Sequence, residues 1–248
     1  MEPSLDLTAI LTLLGGAQGI LLALALLGLR QSNRTATRLL AAFMIISSIS
    51  ICGSVLHSTK FILVYPHLNQ VATPFHFLFG PTMFLYARVT TSGEPSLRKK
   101  DLLHFIPFCL CVAYYLPLYL QSRQHKLDYI NAAFQNYPPL EWRIRSVLLV
   151  LQALPYLVLT VAMFLAHNRR IKASLSPTGK PHVLWLRIFI VMILTTAGAG
   201  LLRLVFSFRA ETMLLVPVCF PIMVYVAGYM RNHGTRYRHR QATGHDRV

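Results

Sequence analysis

The sequence predicts an all-α polytopic membrane protein: a bundle of seven transmembrane helices, with the N-terminus outside and the C-terminus in the cytoplasm. Three observations carry that expectation. Seven apolar runs cross the 248 residues, each close to the roughly 20 residues that a helix needs to span a bilayer core. Lysine and arginine gather in alternate gaps between the runs. The chain as a whole is 54% hydrophobic and only 13% charged, with a mean hydropathy of +0.50.

The runs are Leu7–Leu29, Leu39–His57, Gln70–Thr91, Leu102–Gln121, Ile144–His167, Val183–Phe206 and Met213–Met230. The first follows MEPSLDLTAI, which holds two acids and no base before its apolar stretch. That is the wrong start for a cleavable signal peptide, so this run is expected to remain as a helix. Between the fourth and fifth runs lies the longest gap, Ser122–Arg143, where a short amphipathic helix is expected around Tyr129–Phe134. Residues 1–230 thus form one seven-helix domain, and 231–248 form a basic tail too short to bury a core of its own.

Orientation follows from the cations. Arg30, Arg34 and Arg38 fill the first gap, Arg98, Lys99 and Lys100 the third, and Arg169, Arg170, Lys172 and Lys180 the fifth; the tail adds five arginines. The second and sixth gaps hold only Lys60 and Arg209. Short loops rich in Lys and Arg stay in the cytoplasm, which gives the stated topology. The fourth gap, with Arg123, Lys126 and Arg143, departs from the pattern. The net charge of +16 then reads as retention charge beside anionic lipid rather than as a nucleic-acid surface.

Polar residues at membrane depth are the functional candidates, because burying them in hydrocarbon is costly. Gln18 stands in GGAQG of the first run, where small residues let helices approach and the amide can bond across them or touch a ligand. The third run contains PFHFLFGP, in which Pro74 and Pro81 each remove a backbone donor. Gly80-Pro81 is expected to kink or open the helix there. An opened helix must face protein or water, and His76 lies on that broad side as a packing residue or a sensor. Gln152 is a candidate for an interhelical bond beside a kink at Pro155. Further kinks are expected at Pro217 and Pro221, and Arg203 either snorkels or holds an anionic ligand.

Several function classes lack their parts. There is no HExxH pair for a metalloprotease, almost no acid inside the runs for a proton or cation path, and no lysine in the seventh run for a Schiff base. All four cysteines lie inside runs, which implies neither a disulfide framework nor a zinc site. The expectation is a non-enzyme without cofactor or metal.

GGAQGILLALALLG followed by NRTATRLLAAFM, then YPHLNQVATPFHFLFGPTMFLYARVTTSGEPSLRKKDLLHFIPF, and finally VYVAGYMRN resemble the N-terminal membrane module of bacterial membrane-bound AraC-type transcriptional regulators. The resemblance covers roughly residues 13–231 and is strongest over 65–108. It implies a multi-span sensor in the inner membrane. In that family a helix-turn-helix DNA-binding domain follows the module; here it would begin after Tyr229, and 231–248 cannot hold two such motifs. Specific DNA binding by this chain is therefore not expected. The expected role is a sensory or signal-transducing protein that responds to an unidentified small ligand. Its expected contacts are the bilayer and a cytoplasmic protein partner or a second copy of itself. Two other readings stand beside it: a truncated or split regulator, and a small permease or lipid-handling protein. A topology reporter fused after Val248 should read cytoplasmic, and a periplasmic readout would contradict both the orientation and the partner model.

Overall fold

The computed structural model describes residues 3–28, 33–91, 96–135 and 140–173. The sixth and seventh runs, the tail, Arg203, Pro217 and Pro221 lie outside the described residues. Within them all regular structure is helical. Four helical stretches are long and apolar enough to cross a membrane: Leu7–Gly28, Arg34–Ser58, Lys99–Tyr119 and Leu140–His167.

Helix α1 (Leu7–Gly28) and helix α2 (Arg34–Ser58) form an antiparallel hairpin, closed at one end by the Ser4 amide on the Thr59 carbonyl at 3.2 Å. The buried face of α1 is small: Ala9, Gly15, Gly16, Gly19 and Ala23, with Leu26 at its end. Gly15, Gly19 and Ala23 recur every four residues, the spacing that lets two helices approach closely without a water-driven hydrophobic effect. At Gly16 an added Cβ would already touch Ile51 Cγ2 at 3.4 Å and Cys52 Sγ at 3.6 Å. Helix α2 starts five residues before its apolar run because Asn33 caps it, the side-chain oxygen accepting from Ala36 N at 3.0 Å. Its Ser47 and Ser50 hydroxyls turn back onto the Phe43 and Ile46 carbonyls, so they need no partner on another helix.

The third run is not one helix. After α2 the chain makes two short 3-10 turns, Phe61–Leu63 and Pro66–Leu68, then a five-residue 3-10 turn, Pro74–Leu78. Only there does helix α3 (Phe79–Thr91) begin. Pro74 opens its turn and Pro81 sits in the first turn of α3, both places where the missing N–H breaks no internal bond. Helix α3 packs between α2 and helix α6 (Leu140–Ala173), and its Met83, Leu85 and Val89 join Ala23, Leu40, Met44 and Phe164 in the core.

The fourth run enters through a 3-10 stretch, Lys99–Phe105, and continues as helix α4 (Ile106–Tyr119). The expected short helix of the fourth gap is α5 (Arg123–Gln135). Helix α6 has 34 residues, about 51 Å at 1.5 Å per residue, and outruns its apolar run at both ends. Leu110, Leu116, Leu148, Leu151 and Val158 stand on the exposed faces of α4 and α6. Such apolar faces match the hydrocarbon of a bilayer.

One close approach sets the α3–α6 distance. A Cβ at Gly80 would lie 2.7 Å from Tyr156 Cδ2 and 3.2 Å from its Cγ. The ring cannot easily yield, because the Tyr156 hydroxyl bonds His104 Nδ1 at 2.8 Å and Phe84 packs against both rings. Gly80→Ala should therefore destabilise the protein by about 1–3 kcal/mol. Gly28→Ala, where an added Cβ meets nothing within 4 Å, should change stability by under about 0.5 kcal/mol. Thermal unfolding in detergent compares the two, and equal effects would contradict the packing described.

Candidate functional site

Gln152, singled out in the sequence, reaches the backbone one turn before Pro81, and the reason is a backbone defect. In a continuous α-helix the Phe77 carbonyl would accept from the N–H of residue 81, which proline lacks. The Gln152 side chain on α6 supplies that donor, its Nε2 lying 3.0 Å from Phe77 O. The same logic applies one turn earlier. Pro74 offers no N–H to the Gln70 carbonyl, and the Tyr119 hydroxyl on α4 donates to it at 3.0 Å, beside the Thr73 amide at 3.1 Å. Each carbonyl that would bond a proline's missing N–H in a continuous α-helix is met by a side chain from a neighbouring helix. That is how a buried backbone acceptor is satisfied where proline offers no N–H.

Gln70 is the centre of what surrounds this segment. Its backbone is left-handed, at φ 60°, a conformation unfavourable for a residue with a Cβ and kept only where surroundings impose it. Here they do. Its side-chain oxygen accepts from Thr73 Oγ1 at 2.6 Å and from Arg145 Nη1 at 3.1 Å. Arg145 also reaches the Tyr115 hydroxyl at 3.1 Å, and Tyr115 donates to the Glu141 carboxylate. The other Glu141 oxygen accepts from Tyr129 of α5 at 2.6 Å. The cation and the carboxylate are thus joined through a phenol. Burial, with the neighbouring Glu141 carboxylate, pushes the Tyr129 phenol well above its usual range, so Tyr129 stays a protonated donor.

Lys126 closes the network. It is 3% exposed, donates to the Tyr119 carbonyl at 2.9 Å, and faces His67 Nδ1 at 2.9 Å. A cation that counts against the charge pattern of the fourth gap is a buried structural donor. At the opposite end of α3, Arg88 makes a two-pronged ion pair with Asp101, one contact being Nη1 to Oδ1 at 2.6 Å. Asp101 also accepts from the Arg98 amide at 2.6 Å. The Gln70–Thr91 segment therefore carries a polar network at its start and an ion pair near its end.

Gln18 and Pro155 fall outside this arrangement. Gln18 lies on the exposed face of α1, away from the glycines that pack on α2. His76 lies in the Pro74–Leu78 turn itself, its Nδ1 3.0 Å from the Thr73 carbonyl and its ring against Phe79. Pro155 is on the exposed side of α6. Sequence reasoning missed Gln70, Tyr115, Glu141 and Arg145. One signal was available: Glu141 and Arg145 stand one helical turn apart at the head of an apolar run, as do Tyr115 and Tyr119 at the foot of another.

No family model, no curated protein and no solved structure matches this chain.

Proposed function

We propose that this chain is a sensory, signal-transducing protein of the bacterial inner membrane, related to the membrane module of AraC-type regulators. It acts through a separate cytoplasmic partner or through self-association, without catalysis, cofactor or specific DNA contact. One observation carries the reading: a single interrupted segment, Gln70–Thr91, joins the Gln70–Arg145 network to the Arg88–Asp101 pair. The Phe77 carbonyl of the 3-10 turn Pro74–Leu78 accepts from Gln152 of α6, and the Gln70 carbonyl just before the turn accepts from Tyr119 of α4. A ligand that alters the bonds of Gln70 therefore acts on the seating of α3, and a two-state change at one end reaches the other.

With the N-terminus outside, the Gln70 network faces the exterior, and Arg88–Asp101, with Lys99 and Lys100 just before Asp101 and Asn33 on the Val89 carbonyl, lies on the cytoplasmic side. That end then offers a basic surface to an output partner, while the 231–248 tail rests on anionic lipid.

Arg145→Gln keeps a donor for Gln70 and removes the charge that faces Glu141 through Tyr115. Expressed at wild-type abundance in a bacterial host, it should change a restricted group of transcripts relative to the wild-type protein. An unchanged transcript profile would contradict the sensor reading. Altered solute uptake with unchanged transcripts would favour a permease instead.

A further inference from the structure

We propose that α1 is a dimerisation helix: two copies of this chain pair in parallel through the seam Leu7, Leu11, Leu14, Gln18, Leu21 and Ala25, and the Gln18 amide bonds its own counterpart. This rests on the self-association named in the proposed function and gives the surface that carries it.

Gln18 stands at the middle of the 22-residue α1, on its exposed side. Its amide meets no hydrogen-bond partner among the described residues. The exposed faces of α4 and α6 are of another kind. Between Ile106 and Tyr119, and between Ile144 and His167, no exposed residue is charged or bears an amide. Those faces suit hydrocarbon, and the face of α1 does not. An amide held in hydrocarbon without a partner is costly, so something polar covers Gln18.

The residues around Gln18 have the pattern of a helix pair. Leu7, Leu11, Leu14, Gln18, Leu21 and Ala25 follow one another at alternating steps of four and three, and all are exposed. Leu7, Leu14 and Leu21 are the most exposed leucines of α1, at 72%, 60% and 67%. Such steps make a 3.5-residue repeat, the seam of a left-handed coiled coil. Helix α2 does not fill this seam, because it holds the side of α1 that carries Gly16, Gly19 and Ala23. Leucine takes the d positions, and Gln18 is the one polar residue, at the central a position between Leu11 and Ala25. A single polar residue at an a position fixes register and strand number.

Charge complementarity selects a second copy as the occupant. A carboxamide carries a partly positive N–H edge beside a partly negative oxygen, so it is its own complement. Copies inserted the same way run their α1 helices parallel, and a twofold axis then sets the two amides face to face at equal depth. Within this chain no other amide is available to Gln18 from a span. Gln152 is engaged with the Phe77 carbonyl, and Val183–Phe206 and Met213–Met230 contain neither Asn nor Gln. A pair joined at α1 presents two copies of the cytoplasmic end to one output partner.

The test uses the full chain in vesicles of phosphatidylethanolamine and phosphatidylglycerol, with donor or acceptor fluorescent proteins fused after Val248. Energy transfer should saturate as the protein-to-lipid ratio rises, with donor quenching linear in acceptor fraction, as for a dimer. Gln18→Leu should weaken association about threefold to tenfold, and Gln18→Asn, which keeps the amide, should weaken it less. Register is read by disulfide formation between copies after the four native cysteines are replaced by alanine. Leu14→Cys and Leu21→Cys lie on the seam, whereas Leu13→Cys and Ile20→Cys are exposed neighbours at the same depth but off it. The seam pair should cross-link about tenfold faster or more, because a disulfide needs Cβ atoms within about 4.5 Å. A monomer at every ratio, association unchanged in Gln18→Leu, or equal cross-linking on and off the seam would each overturn the proposal; a monomer would leave the sixth or seventh run as the cover of Gln18. The transcript response to Arg145→Gln is a separate readout, so a monomer that still shows it removes the dimer and keeps the sensor reading.

Discussion

A buried backbone carbonyl that loses its donor must find another, and the arrangement around the third apolar run follows from that constraint. Pro74 and Pro81 prevent the third apolar run from satisfying itself as one helix. Gln152 and Tyr119 make up the shortfall, reaching Phe77 and Gln70 from α6 and α4. Two helices distant in sequence are thereby tied to the short segment from Gln70 to Leu78. Gly80 permits the tie on the α6 side, since a methyl group there would collide with Tyr156.

The rest of the described bundle supplies a frame of two kinds. The α1–α2 hairpin is held by close approach of small residues, the means available where both surroundings and side chains are apolar. The opposite side, α4 with α5 and α6, is held by polar bonds from tyrosines, Lys126, Glu141 and Arg145. The contrast matters for function. Packed glycines specify one fixed distance, whereas a relay of hydrogen bonds through a phenol can be rearranged by a competing donor or acceptor. On the proposed reading the hairpin is the anchor and the α4–α6 side responds.

Much of this was legible in the residues. Length and hydropathy placed the helices of the first, second, fourth and fifth runs, and the small residues of GGAQG marked α1 for close helix approach. Gln152 was marked for an interhelical bond and Pro81 for a break, both from residue type at membrane depth. What the sequence could not show was that the two are one feature, because 71 residues separate them and nothing local pairs them. Asn33 lengthens α2 beyond its apolar run through a single cap that hydropathy does not register. The network around Gln70 escaped notice for a similar reason. Glu141 looks like a loop charge beside Arg143, Arg145 like an edge residue of the apolar run that begins at Ile144, and Lys126 like a solvated cation. Only the tertiary arrangement turns them inward. Gln18, chosen because glycines surround it, points the other way, since the glycines themselves occupy the packing face.

The dependence of the third segment on Gln152 can be measured directly by a double-mutant cycle in mixed micelles. Gln152→Leu strips the Phe77 carbonyl of its donor and should cost about 1 kcal/mol of unfolding free energy in the wild-type background. In Pro81→Ala, where residue 81 regains an N–H for that carbonyl, the same substitution should cost less than about half as much. Equal costs in the two backgrounds would mean that proline and glutamine act independently, and would contradict the account.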